Sequence, residues 1–217
     1  LGINSGASSG AAAAILFGPG AGLGAYALPG SAFLGALAAS FLVFALARSG
    51  GRVTSLRLLL SGVAVGYLLY GLTSFMIFAS GSAEGARSVM FWLLGSLGLA
   101  QWNGLLAVVA VAVLATIALL TLSGRGLDAL AIGDETAHTL GVSPDRFRTL
   151  LLVLVALTVG VVVSAAGSIG FVGLVVPHLA RRAVGSAHSV AIPAAALMGA
   201  ILLVWADVLA RVLLQPQ

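Results

Sequence analysis

Residues 104–122 read GLLAVVAVAVLATIALLTL, a stretch with no charged side chain and no proline. Its length fits the roughly 17 to 25 residues a helix needs to cross about 30 Å of hydrocarbon. In lipid such a segment must be helical, because nothing outside the chain satisfies its backbone N–H and C=O groups. Setting aside the charged and turn-rich stretches leaves six more apolar runs, near 5–17, 28–47, 58–79, 149–165, 170–180 and 190–210. The chain therefore reads as all-α, a polytopic transmembrane helical bundle with about seven spans in a single transmembrane domain over 1–217. The run at 170–180 is short, contains Pro177 and is entered through Gly167 and Gly170, which predicts a kinked or partial helix shielded by its neighbours.

Composition supports lipid as the solvent. Of the 217 residues 60% are hydrophobic and 7% charged, against roughly 25% charged in a soluble domain. All ten basic residues are Arg, so there is no Lys to sit on a nucleotide's phosphates or form a Schiff base. The absence of Cys removes disulfides, thiolate catalysis and Cys-ligated metals. A net charge of +4 from so few charges points to anionic lipid rather than to nucleic acid.

The arginines also predict an orientation. Arg48, Arg52, Arg57, Arg125, Arg146, Arg148, Arg181 and Arg182 fall on one set of alternate connections, whereas Arg87 and Arg211 fall on the other. The first set belongs in the cytoplasm by the positive-inside rule, and Trp92 and Trp102 then fall at the outer interface. Leu1 is not a start Met and the first run is short, so the chain is expected to be a fragment of a longer membrane protein.

Four stretches invite a functional reading. The longest Arg-side connection, 124–148, reads GRGLDALAIGDETAHTLGVSPDRFR. Asp134 is the expected N-cap of a two-turn helix with Glu135 in its first turn and Gly141 as a left-handed close; a shorter turn spans 127–132, and Ser143-Pro144 starts the next span. Helices this short need something to pack on. The loop either folds on its own membrane domain or docks a cytoplasmic partner. In the second stretch, 166–182, Gly167, Gly170 and Gly173 suit close helix packing, and His138, His178 and His188 sit too far apart in sequence for a metal site. In the third, Asp207 is an acid inside an apolar run with Arg211 at i+4, either a proton site or a neutralised ion pair. The fourth comprises the Gly6/Gly10 and Gly62/Gly66 spacings, which suggest tight helix contacts.

The blocks RLLLSGVAVG (57–66), FWLLGSLGLAQW (91–102), LDALAIGDETAHTLGV (127–142), AGSIGFVGLVVPHLARR (166–182) and ADVLAR (206–211) resemble, in order and spacing, the FecCD family. These are permease subunits of type II ABC importers for iron-siderophores, haem and cobalamin. Set against that family, the chain lacks the first two helices and the last. The resemblance implies the fold of such a permease, working in the cytoplasmic (inner) membrane of a prokaryote with a second copy of itself, an ABC ATPase subunit and an extracytoplasmic substrate-binding protein. It implies no catalytic residue, no metal site and no cofactor in this chain. Ferric siderophore is the expected cargo, with haem or cobalamin as alternatives; a proton-coupled secondary transporter using Asp207 is the rival from another class. Coupling to the ATPase falls on Leu127, Ala131, Gly133, Asp134, Glu135, Ala137, Leu140 and Gly141, with Ala137→Arg expected to push a charge into the partner's groove. Thr54, Ser55 and Leu56 match the inner gate, and Arg211 matches an arginine that docks the binding protein.

Overall fold

The computed structural model describes residues 2–18, 26–48, 54–97, 102 and 104–213. Their regular structure is helical: α1 (Ile3–Phe17), α2 (Ala27–Arg48), α3 (Ser55–Ala79), α4 (Ala83–Leu94), α5 (Gly104–Leu122), α6 (Gly124–Ile132), α7 (Asp134–Thr139), α8 (Pro144–Ala166), α9 (Val172–Val184) and α10 (His188–Leu213). Each apolar run lies in a helix, so the all-α expectation holds. Five helices (α2, α3, α5, α8 and α10) are long and apolar enough to cross a membrane. With 15 and 13 residues, α1 and α9 are shorter. Arg52, one of the arginines expected in the cytoplasm, lies outside the described residues.

The chain divides into two compact units, residues 1–112 with 145–169, and residues 113–144 with 170–217. In the first, α1 packs on α2 and α3, and α4 packs on α1 and α3. The core here is made of small residues. Ile3, Ala7, Ala11, Ala32, Ala36, Ala156 and Val163 form one buried cluster, and among the described residues the largest fully buried side chains are Val43 and Val89. Helices in lipid gain little from hiding apolar surface, so close van der Waals packing and interhelical hydrogen bonds must hold them together. Both are present. A Cβ on Gly6 would overlap Ala39 and the Gly35 carbonyl, and one on Gly10 would overlap the Ser31 carbonyl, so α1 lies directly on α2. The buried Ser9 hydroxyl donates to the Leu69 carbonyl at 3.0 Å and lies 2.8 Å from the Thr73 hydroxyl, tying α1 to α3.

The connection after α3 contains α4, an element that hydropathy alone does not reveal. Ser82 caps it by accepting the Gly85 N–H at 3.0 Å, and Glu84 sits in its first turn, where the helix dipole favours an acid. At its other end the Ser96 N–H donates to the Ala166 carbonyl at 2.8 Å, pinning the exit of α4 to the exit of α8. Gly167 makes this possible: its φ is +73°, and a Cβ there would stand 2.7 Å from the Trp92 carbonyl. Trp92, half-buried, packs against the alanine cluster.

In the second unit α9 packs on α10, and α6 packs on α7 and α10. As predicted, α9 is short and contains Pro177. Close packing at the three spaced glycines is met only at Gly167, since Gly170 and Gly173 have open space around them. Phe171 starts α9 from a strained turn, with φ 65° and ψ −37° and the Val172 N–H donating to the Gly170 carbonyl at 2.8 Å.

Candidate functional site

The loop that begins after α5 folds into two short helices in the second unit. The nine-residue α6 starts at Gly124, three residues before the expected Leu127. The reason is packing: a Cβ on Gly124 would come 2.8 Å from the Ser189 nitrogen, so glycine lets the first turn of α6 lie on the first turn of α10. The six-residue α7 begins at Asp134. Asp134 is therefore the first helical residue rather than the N-cap, because Gly133, with φ 152° and ψ 163°, takes the cap position. Its carboxylate, with that of Glu135, still faces the positive end of the helix dipole.

The far end of α7 closes as the sequence predicts. Gly141 has φ +78°. Its N–H donates to the His138 carbonyl at 3.0 Å, while the Val142 N–H donates to the Ala137 carbonyl at 2.9 Å. This paired closure satisfies two carbonyls and needs a left-handed residue at 141.

Exposure divides the expected coupling residues. Ala131, Glu135, Leu140 and Gly141 are exposed, whereas Leu127, Gly133 and Asp134 are half-buried. Ala137 is fully buried within the chain itself. This corrects the expectation for Ala137→Arg: the charge would disrupt the loop from inside before meeting any partner. The apolar side chains left outside are Ile132, 73% exposed, and Leu140, 65% exposed.

What holds α6 in place is a contact that sequence reasoning missed. The Asp128 carboxylate accepts the His188 backbone N–H at 3.1 Å and stands 2.5 Å from His188 Nδ1. On the other side of the ring, an Arg181 guanidinium N–H reaches His188 Nε2 at 3.4 Å. Arginine can only donate and an ionised carboxylate can only accept, so one tautomer, with the proton on Nδ1, satisfies all three groups. The hydrogen bonds from the His188 side chain and then its backbone hold the Asp128 carboxyl below its ordinary range.

The expected gate residues lie in the first unit, at the start of α3. Thr54 is the cap of that helix, its Oγ1 accepting the Arg57 N–H at 3.3 Å. Ser55 and Leu56 form the first turn, and all three residues are exposed. Higher in the same unit, α1, α3 and α4 border a cleft of about 480 Å³. Its polar lining includes Asn4, Ser8, Tyr70, Thr73, Ser74 and Ser168. The Asn4 amide donates to the Ser168 hydroxyl at 2.7 Å across one of its walls.

Arg211 lies near the end of α10 and pairs with Asp207, Nε to Oδ2 at 2.7 Å and a guanidinium nitrogen to Oδ1 at 3.4 Å. The Arg211 side chain remains 59% exposed and that of Asp207 29% exposed, so the pair is intact and its guanidinium is also open to the outside. Among the described residues no group of His and acidic side chains is arranged to hold a metal ion.

Comparison with known proteins gives a consistent picture. The chain is 43% identical to the cobalamin import system permease protein BtuC of Halobacterium salinarum, over 97% of this chain and 56% of that protein. Identity to the hemin transport system permease protein HmuU of Yersinia pestis is 44%, over 85% of this chain and 54% of that protein. The chain thus spans a little over half the length of these curated relatives. A solved inward-facing conformation of a metal-chelate type ABC transporter superposes with a TM-score of 0.88 and 32% identity, covering 98% of this chain and 66% of that one. The described helices thus follow the fold of an ABC transporter permease. The FecCD transport family matches residues 1–217 from end to end, and this chain belongs to that family.

Proposed function

We propose that this chain is permease machinery of a type II ABC importer, residues 1–217 forming part of one transmembrane domain in the cytoplasmic membrane of a prokaryote. It works with a second copy of itself, an ABC ATPase subunit that hydrolyses the ATP, and an extracytoplasmic binding protein that delivers the cargo. The chain itself supplies passage and coupling, not catalysis. The observation that carries this reading is the α6–α7 pair, two short helices with Ile132 exposed at the end of the first and Leu140 exposed at the end of the second. Apolar side chains of that size on a charged connection suit insertion into a protein groove.

The cargo is a chelated metal compound. Named relatives import cobalamin and hemin, and the matched structure is of metal-chelate type. Ferric siderophore, haem and cobalamin all meet that description, and selectivity rests mainly with the binding protein. Inside this chain the path has hydroxyls and an amide to offer, in the cleft near Asn4, Thr73 and Ser168, which suits a bulky chelate handed along rather than tightly held. Thr54, Ser55 and Leu56 narrow the inner mouth, and Arg211 meets an acid of the binding protein. The coupling face comprises Ala131, Glu135, Leu140 and Gly141, supported by Leu127, Gly133, Asp134 and Ala137.

A proton-coupled transporter would need a carboxylate that loads and releases protons, and Asp207 is held by Arg211 on its own helix. Hydrolysis of ATP separates the readings. The complete permease, co-purified with its ATPase in lipid, should hydrolyse ATP faster when loaded binding protein is added. Uptake that follows a proton gradient and ignores ATP would reject the importer reading.

A further inference from the structure

We propose that Asp128 and His188 form a latch that passes movement of the α6–α7 pair into α10, making them positioning residues for coupling rather than members of the docking face. This inference rests on the permease reading above.

The size of α6 and α7 limits what they can do alone. Nine and six residues cannot hold a helix in water, so a push received by α6–α7 does work only through what they are fastened to. The membrane helix that α6 packs on within its unit is α10. Two attachments join them, and they sit one turn apart on α6. At Gly124 the backbones touch, with no room for a Cβ against Ser189. At Asp128 one carboxylate oxygen takes both the N–H and the Nδ1 of His188. Two points at successive turns set the direction of α6 as well as its position.

The receiving end is suited to a latch. His188 and Ser189 are the first residues of α10, where backbone N–H groups have no partner within the helix. Pro193, inside the same helix, has no N–H to give the Ser189 carbonyl. That is one lost hydrogen bond within a continuous helix, and the Asp128 carboxylate caps the His188 N–H of the first turn from outside. Arg181, near the end of α9, holds the other edge of the imidazole, so the same ring ties α6 to both helices of the α9–α10 hairpin. From His188 the helix runs 26 residues to Leu213, a rod of about 39 Å at 1.5 Å per residue, with Arg211 near its far end. A displacement caught at His188 is thus delivered along the helix that carries the proposed contact with the binding protein.

The test uses the complete importer in proteoliposomes, measuring cargo moved per ATP hydrolysed. Asp128→Ala and His188→Leu should each lower that ratio by roughly five-fold, with ATPase co-purification and ATP hydrolysis retained. Combining them should cost no more than either alone, since both remove one link. His188→Asn keeps an N–H donor near the Nδ1 position and should restore most of the ratio. Wild-type ratios in both single variants, or a His188→Asn importer as defective as His188→Leu, would overturn the latch while leaving the permease reading intact. A wild-type assembly with no ATP-dependent uptake would remove that reading and the latch with it.

Discussion

Where α1 meets α2 the contact surface is glycine and alanine, and the consequences of adding a single methyl can be stated position by position. Gly10→Ala would drive a Cβ into the Ser31 carbonyl, backbone that cannot swing aside. A loss of about 1 to 3 kcal/mol is expected, seen as a lower unfolding temperature in detergent. Gly30→Ala, on α2 where nothing lies within 4 Å, should cost nothing and serves as the control. Equal effects would mean that the α1–α2 contact is not as close as described. Arg211 offers a second test at this scale. If it reaches a binding-protein acid, Arg211→Ala weakens that complex by about 0 to 1 kcal/mol, a few-fold at most, and Asp207→Asn does not repair it. Repair by Asp207→Asn would assign Arg211 to its own helix alone. Protons give a third. Asp128 is held below its ordinary value of 3.8, so the latch's contribution is complete above that value and disappears as pH falls through the lowered one. Exchange of the His188 amide should stay slow from neutrality down to that point and quicken below it. The Gly6/Gly10 spacing was readable in the sequence as a tight helix contact, whereas a Cβ on Gly66 would meet only ordinary contacts at 3.6 Å and beyond. Asp128 and His188 were not readable: 60 positions separate them, and nothing in either neighbourhood names the other.

At the scale of elements, long apolar runs announced themselves and short amphipathic ones did not. Hydropathy finds α5 easily. It passes over α4, whose 12 residues include Glu84 and Arg87, although Ser82 in front and Gly95 behind are the usual helix punctuation. The boundaries of α6 and α7 moved for steric reasons. Gly124 starts α6 early because it must lie against Ser189, and the extended Gly133 displaces Asp134 from the cap. The outward face of these helices was not legible either, since burial of Ala137 depends on how the loop folds back. Leu140→Glu is therefore the better probe of docking. The side chain is exposed, so the permease should insert and fold normally while ATPase co-purification falls by about tenfold, as expected when an apolar anchor is lost. Retained association would move docking away from α7. At the proposed inner gate, Cys at Ser55 in this cysteine-free chain should cross-link to its twin in the resting importer. Failure to cross-link in any nucleotide state would remove the start of α3 from the gate.

For the whole molecule, orientation and drive are the two claims that join the parts. Eight of the ten arginines fall on one set of alternate connections, and by the positive-inside rule that set faces the cytoplasm. Cys placed at Arg87 should react with an impermeant reagent added outside intact cells, and Cys at Arg148 should react only after the membrane is opened. The reverse pattern would invert the topology and put α6–α7 on the side without ATP. Membership of the FecCD transport family was legible because several short blocks, among them AIGDETA and GSIGFVGLVVPH, keep their order along the chain. Which chelate is carried was not, because the cleft proposed for the path offers hydroxyls and an amide that favour no single cargo. The central claim is that ATP hydrolysed by a partner moves a chelated metal compound through this permease by way of α6–α7. It is tested most directly by uptake into vesicles holding the complete importer, with loaded binding protein on the outer side and ATP on the ATPase side. Accumulation should need both ATP and binding protein and should stop in Leu140→Glu. Accumulation without ATP, or undiminished in that variant, would contradict it.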